Sequence, residues 1–430
     1  MTSLDRFFHI TERRSTVARE VRGGVTTFLT MAYILLVNPS ILAAAGIPPT
    51  AAATSTALAA GLCCLMMGLW ANFPMALASG MGLNAIVAFQ LTPAAGSWQT
   101  AMGLIVIEGV VILLLVLAGL REAVMHAIPR HLRTAIGAGI GLFIAVIGLE
   151  NGKLIVAHPV TLVTAGSFHD LNAVITVLGL AVIAVLMMWR VTGAILIGVA
   201  VCTVIALLAG VTKWPGGGFA RPDFSAVFQA NVGDALKWSF VPLILSVMMV
   251  DFFDTLGTAT AVAEEGDLVD DNGRIPRVRQ LLAADSIAAS VGGWLGASSV
   301  TSYIESASGV AEGARTGLHS VVVGVLFLLA ILAAPLAGIV PTCATAPALI
   351  LVGFLMMTHV ADIDFKNYEQ AIPAFLTILL IPLTFSIAHG VGYGFIAQVV
   401  LSVARGNARR VHPLMYGVAA AFVAFFVFEK

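Results

Sequence analysis

What most constrains this chain is a succession of apolar runs, each about as long as a helix that crosses a bilayer. Roughly 20 apolar residues span about 30 Å of hydrocarbon. Such runs lie at 24–45, 51–70, 100–119, 132–149, 171–189 and 192–210. A second series lies at 240–263, 280–296, 317–338, 343–358, 370–387, 388–404 and 412–428. Two further segments, 73–91 and 298–312, are less apolar and are interrupted by Gly, Ser, Thr and Pro. Composition agrees. Hydrophobic residues make up 59% of the chain and charged residues 10%, against about a quarter charged in a water-soluble domain. The expected fold is an all-α polytopic membrane protein of about fourteen segments in the lipid bilayer.

The net charge of −1 gives no basic bias, so no nucleic-acid partner is expected. Lys and Arg gather at the N-terminus, at Arg121 with Arg130 and Arg133, at Arg274 with Arg277 and Arg279, and at Arg405 with Arg409 and Arg410. Threading alternate spans puts all four clusters on one side, provided both interrupted segments cross. Positive charge favours the cytoplasmic side, so the N-terminus is expected inside, in the plasma (inner) membrane. The first twenty-odd residues carry Arg13, Arg14, Arg19 and Arg22 and no apolar stretch. No cleavable leader is expected there, and the first span is expected to serve as the anchor. The last run, 412–428, could cross or lie as an edge helix.

A polar stretch with Gly and Pro at 212–239 divides the chain, after an N-terminal segment 1–23, into halves 24–211 and 240–430. The third segment of each half is the interrupted one: NFPMALASGMGLNAIVAF at 72–89 and GASSVTSYIESASGV at 296–310. An odd number of spans per half inverts the second half relative to the first, the pattern of secondary transporters. Unwound backbone at membrane depth survives only where protein buries it or it lines a cavity. Two interrupted segments meeting at the bilayer centre therefore predict a polar site there, with half-helix N-termini aimed into it.

An ionisable side chain at that depth costs at least about 2.5–3.5 kcal/mol and needs a reason. Asp251 and Asp254 lie in SVMMVDFFDTLGTATAV. With Thr255 and Thr258 they fall at i, i+3, i+4 and i+7, so a polar stripe facing the protein interior is expected. Glu305 lies in the second interrupted segment, and Asn84 takes the matching place in the first. The alternative, that each of these only ties helices together or caps its own turn, stays open. Glu108 in IVIEGVV reads as a helix-interface residue, Asp285 as structural and His389 as packing. Gly23, Thr27 and Thr30 form a small-residue stripe that admits a neighbouring helix or a ligand. Cys63, Cys64, Cys202 and Cys343 sit in apolar runs without metal spacing and read as buried hydrophobes. No P-loop, GxSxG, HExxH or CxxC occurs, so no enzyme, metal or cofactor chemistry is expected.

At these motifs the chain resembles the AzgA-like purine permeases of the nucleobase/ascorbate transporter superfamily. The strings that carry the resemblance are GGVTTFLTMAYILLVNP (23–39), NFPMALASGMGLNAIVAF (72–89), DFFDTLGTATAV (251–262) and GASSVTSYIESASGVAEGARTGL (296–318). One departure is ASGMG at 78–82, where relatives often carry a proline. The resemblance implies two inverted repeats of seven segments. A core domain (24–119 and 240–338) and a gate domain (129–211 and 342–430) are implied with them. It also implies proton-coupled uptake of adenine, guanine or hypoxanthine by alternating access. Asp251, Glu305 and Asn84 would bind the purine, with Thr30, Thr255 and Tyr303 beside them. Asp251, Glu305 and Asp254 would serve proton coupling. Phe28, Phe253 or Tyr303 could pack on the ring face, and a gate surface rich in Leu, Val and Ala could support a homodimer. An anion carrier of the related sulfate/bicarbonate fold, or a channel, is the alternative function. The first wants positive charge at the half-helix ends; the second wants a continuous polar stripe through several helices.

Overall fold

The computed structural model describes residues 3–119, 128–214, 221–269 and 275–428. Arg121 and Arg274 lie outside the described residues, as do the side chains of Phe253 and Arg410. A short helix, α1 (Ser3–Phe8), precedes α2 (Val17–Met31), whose first turn is capped by the Thr16 hydroxyl accepting from the Arg19 amide. The first span runs over Val17–Ala45; within it the helix slackens into a turn at Ala32–Tyr33, both still right-handed helical, and resumes as α3 (Ile34–Leu42). The first half continues with α4 (Pro49–Met66), β1 (Leu77–Ser79), α5 (Met81–Ile86), α6 (Trp98–Leu117) and α7 (Arg130–Asn151). An exposed hairpin, β2 (Ile155–His158) with β3 (Leu162–Ala165), leads to α8 (Leu171–Met188) and α9 (Ala194–Leu208).

The second half holds α10 (Val241–Glu265), α11 (Val278–Leu295), β4 (Val300–Ser302), α12 (Ser306–Ala311) and α13 (Gly317–Ala330). It ends with α14 (Thr342–Met357), α15 (Tyr368–Leu383), α16 (Ile387–Ala404) and α17 (Pro413–Phe428). Among the described residues nine helices are long and apolar enough to cross a membrane, with four shorter apolar helices beside them. The chain is thus a polytopic helical protein, but not purely helical. The interrupted segments contain strands, because unwound backbone without water must find a partner in other backbone.

Packing between helices is symmetric under exchange of the halves. α4 lies along α13 as α11 lies along α6, and α2 meets α12 and α13 as α10 meets α5 and α6. In a second group, α7 packs on α14 and α15 as α14 packs on α8, and α15 pairs with α16 as α8 pairs with α9. Small residues allow the tightest of these crossings. A Cβ on Gly23 of α2 would lie 2.6 Å from the Gly309 carbonyl of α12, and one on Gly309 would collide with the Gly23 carbonyl and the Thr27 hydroxyl.

Run 412–428 forms α17, which returns along α16. Phe426 stacks on His389 with ring centres 5.3 Å apart and tilts against Tyr393 at 4.9 Å. The far end of α17 therefore lies beside the beginning of α16, and the two helices share the same depth. The stretch between the halves packs on helix ends: the Phe228 amide donates to Trp294 and the Asn231 amide to Gln99.

Candidate functional site

The two interrupted segments meet. β1 and β4 pair antiparallel, with Leu77 opposite Ser302, Ala78 opposite Thr301 and Ser79 opposite Val300. All six residues are buried. An antiparallel pair sends its chains out at opposite ends, so α5 and α12 leave this ribbon in opposite directions. The ribbon is braced on all sides. The Tyr303 phenol donates to the Ser79 carbonyl and the Ser79 hydroxyl to Ala297, while the Tyr303 amide donates to Ala76.

Glu305 is the residue before α12. Its Oε1 accepts from the Tyr33 phenol at 2.6 Å. Tyr33 is fully buried and sits at the turn between α2 and α3. On the same face, the Thr30 hydroxyl lies 3.1 Å from the Ser308 hydroxyl, and Ser308 donates back to the Glu305 carbonyl. The stripe of Gly23, Thr27 and Thr30 therefore packs on the second interrupted segment, with Thr27 bonded to the His319 ring at 2.8 Å.

α10 closes another side, packing on β4, α12 and α5. Its polar residues do not form one stripe. Asp251, Thr255 and Thr258 are buried, whereas Asp254 keeps accessible surface. Consecutive helical residues are about 100° apart, so residues 254 and 255 cannot both face the same neighbour. Asp254 is within charge range of Asp285 and Glu305 and keeps accessible surface beside them. The Thr255 hydroxyl is already engaged: it donates to Asp285 Oδ2 at 2.6 Å and lies 3.1 Å from the Thr301 hydroxyl. It serves the site by fixing α10 to β4.

Asn84 is buried in α5, and neither its amide nor its carbonyl oxygen has a partner among the described residues. A buried amide without partners costs about 1–3 kcal/mol, which a polar ligand would recover. Of the aromatic candidates, Tyr303 is beside Glu305 and Asp254. Phe28 instead packs edge-on against Phe327, ring centres 5.1 Å apart, and the Phe253 side chain is not among those described.

Tyr33 escapes sequence reasoning, because it gives no signal within an apolar run. Asp285, an acid inside a span that reads from sequence as structural, braces the site here through partners distant in sequence. It is fully buried and accepts from Thr255 on Oδ2 and from Ser302, at 2.8 Å, on Oδ1. A single carboxylate thereby joins α10, α11 and β4. Among the described residues no cluster of His, Cys, Asp or Glu is placed to hold a metal. Glu108 is buried in α6, which packs along α11, and the His389 ring bonds the Ser386 hydroxyl at 2.7 Å.

Comparison with known proteins gives a consistent picture. A family model described as "Permease family" matches residues 18–393. The guanine/hypoxanthine permease PbuG of Bacillus subtilis is 42% identical over 99% of this chain and 99% of its own length. The adenine permease AdeP of Escherichia coli is 41% identical over 99% of this chain and 96% of its own. Among solved structures, the transmembrane domain of the cyanobacterial bicarbonate transporter BicA superposes with a TM-score of 0.67 at 17% identity. The match covers 86% of this chain and 97% of that one; identity that low speaks to the fold alone.

Proposed function

Because the chain belongs to this permease family, in its AzgA-like nucleobase branch, we propose that it takes up purine nucleobases together with protons by alternating access. It is a transporter and not an enzyme. The observation that carries the reading is the group around the strand pair: Glu305 held by Tyr33, with Asp254 within charge range and the unpartnered amide of Asn84 in the matching half.

The chemistry suits a neutral, flat base. Carboxylates of Asp251 and Glu305 accept from its N–H edges, and the Asn84 amide both donates and accepts. The Tyr303 ring, its hydroxyl occupied by Ser79, offers a face for stacking. Thr30 and Thr255 hold the walls in register. A site with several fixed polar partners rejects analogues that lack one group, because its own buried groups are then left unpaired.

Proton coupling needs a titratable group that responds to the substrate. Asp251, Asp254 and Glu305 share that duty: neighbouring acids disfavour each other's charged forms, so a proton bound with the base relieves the repulsion. The core, 24–119 with 240–338, then moves against the gate, 129–211 with 342–430, and opens the site to the cytoplasm, where the N-terminus lies. An anion carrier of the same fold is disfavoured by Glu305 and Asp254, which put negative charge at the place an anion would have to occupy.

Radiolabelled adenine, guanine and hypoxanthine uptake in cells lacking their own permeases tests this. Wild type should accumulate at least one of them, more strongly with an inward pH gradient, and Asp251→Asn and Glu305→Gln should abolish it. Undiminished uptake in both variants would remove these acids from the site. Uptake indifferent to the gradient would remove the proton.

A further inference from the structure

At the end of the molecule where α7, α15 and α17 begin and α16 finishes, the structure contains an open cleft of about 540 Å3. It is separate from the strand-pair site: none of its lining residues belongs to α2–α5 or α10–α12. Asn367, Gln370, Gln398, Asn407, Arg409 and His412 line it. Polar walls of this kind are unexpected between helices whose other faces are apolar.

The walls are built and not merely wet. Gln398 is only 6% exposed. Its Oε1 accepts from the His131 ring at 2.6 Å, and its Nε2 donates to the Ser402 hydroxyl at 3.0 Å. Ser402 in turn donates to Glu369 Oε1 at 2.8 Å, and Glu369 Oε2 pairs with Arg405 at 2.8 Å. The acid at the cleft is thus neutralised by its own arginine. Arg409, in contrast, is exposed and pairs with no acid among the described residues. Three helices start at the cleft, at Arg130, Tyr368 and Pro413. Asn367 caps the α15 start and the His412 ring accepts from the Leu414 amide, so what the helix starts add to the charge of Arg409 is their positive dipole ends. The balance favours an anion.

Volume narrows the ligand. The cleft falls within the ~300–1,000 Å3 range of small-molecule sites and is far larger than an inorganic ion requires. Gln398 and Asn367 are committed to the walls themselves, which leaves Gln370 and Asn407 to meet a polar organic body. An arginine fork beside helix starts suits a phosphate group, which accepts several charge-assisted bonds at once.

We propose that this cleft binds a small organic phosphate, a nucleotide-like metabolite or a phospholipid headgroup, and that the bound group ties α7, α15, α16 and the segment before α17 together. The inference does not rest on the identity of the transported base.

The test uses purified full-length protein in nanodiscs of phosphatidylcholine, alone or mixed with phosphatidylglycerol. GMP and inorganic phosphate are titrated by calorimetry and thermal shift, with excess adenine and guanine present to occupy the transport site. GMP should bind saturably in the phosphatidylcholine discs. Arg409→Gln should weaken it by about tenfold, the worth of one charge-assisted contact, and His412→Gln by less. If the source is lipid, phosphatidylglycerol should raise the melting temperature of wild type but not of Arg409→Gln. The proposal is overturned if neither GMP nor phosphatidylglycerol has an effect. It is equally overturned if Arg409→Gln, folded as judged by its melt, responds like wild type, or if excess base displaces GMP.

Discussion

The Tyr33 phenol, at the turn between α2 and α3, donates to Glu305 at 2.6 Å, across a sequence separation of 272 residues. One residue from each half of the chain thereby shapes the same end of the site. Removing the phenol while keeping the ring isolates that contact. Tyr33→Phe should fold normally but lose about 1.5–3 kcal/mol, the worth of a hydrogen bond to a charged group, or roughly ten- to a hundred-fold in KM for uptake. A KM equal to wild type would mean that the bond does not position Glu305 for its substrate.

Asp285 holds Thr255 and Ser302 through separate oxygens. Asp285→Ala leaves the Ser302 hydroxyl buried without its acceptor, at about 1–3 kcal/mol, and leaves Thr255 only the Thr301 hydroxyl. The variant should melt well below wild type in detergent, and Asp285→Asn, which keeps one acceptor oxygen, should fall between. A melting temperature unchanged in Asp285→Ala would show that the carboxylate does not join α10, α11 and β4.

The crossing of α2 and α12 depends on the absence of side chains at Gly23 and Gly309. Gly309→Ala should destabilise the protein by about 1–3 kcal/mol, as overpacking does, and reduce uptake by displacing α12. Gly137 of α7, where a Cβ would meet nothing within 4 Å, provides the control. Gly137→Ala should be neutral or stabilising by up to about 1 kcal/mol, since alanine favours helix. Equal melting curves for the two variants would contradict the close approach.

Outside the membrane, the Asp5 carboxylate accepts from the Thr11 amide at 2.8 Å and its hydroxyl at 3.0 Å. The amide bond, more than the hydroxyl, lowers its pKa. A lowered folded-state pKa contributes stability that is present above the unfolded value and lost as pH falls through the folded one. The turn after α1 should therefore survive mild acidification and loosen only below the ordinary carboxylate range. Asp5→Asn at neutral pH should mimic the acid state and speed amide exchange across residues 9–14. Unchanged exchange there would show that the carboxylate does not secure the turn.

Much of this was legible along the chain. Apolar run length placed the spans, because hydrocarbon thickness sets helix length regardless of what packs beside it. Small and polar residues in 73–91 and 298–312 marked the interrupted segments, and the cost of unwound backbone in lipid told where they must lie. Acids at 251, 254 and 305 announced themselves by the penalty they carry in such runs. Local pattern could not say which partner each group meets. The periodicity of α10 put residues 251, 254, 255 and 258 on one broad face, but the neighbours on that face belong to α11, β4 and α12, and they separate Asp254 from the rest. The pairing of β1 with β4, the hydrogen bond from Tyr33 to Glu305, and the closing of Asp285 on two other elements each join residues from distant parts of the sequence. Such contacts depend on how helices cross in three dimensions, and a one-dimensional pattern records only which faces are apolar.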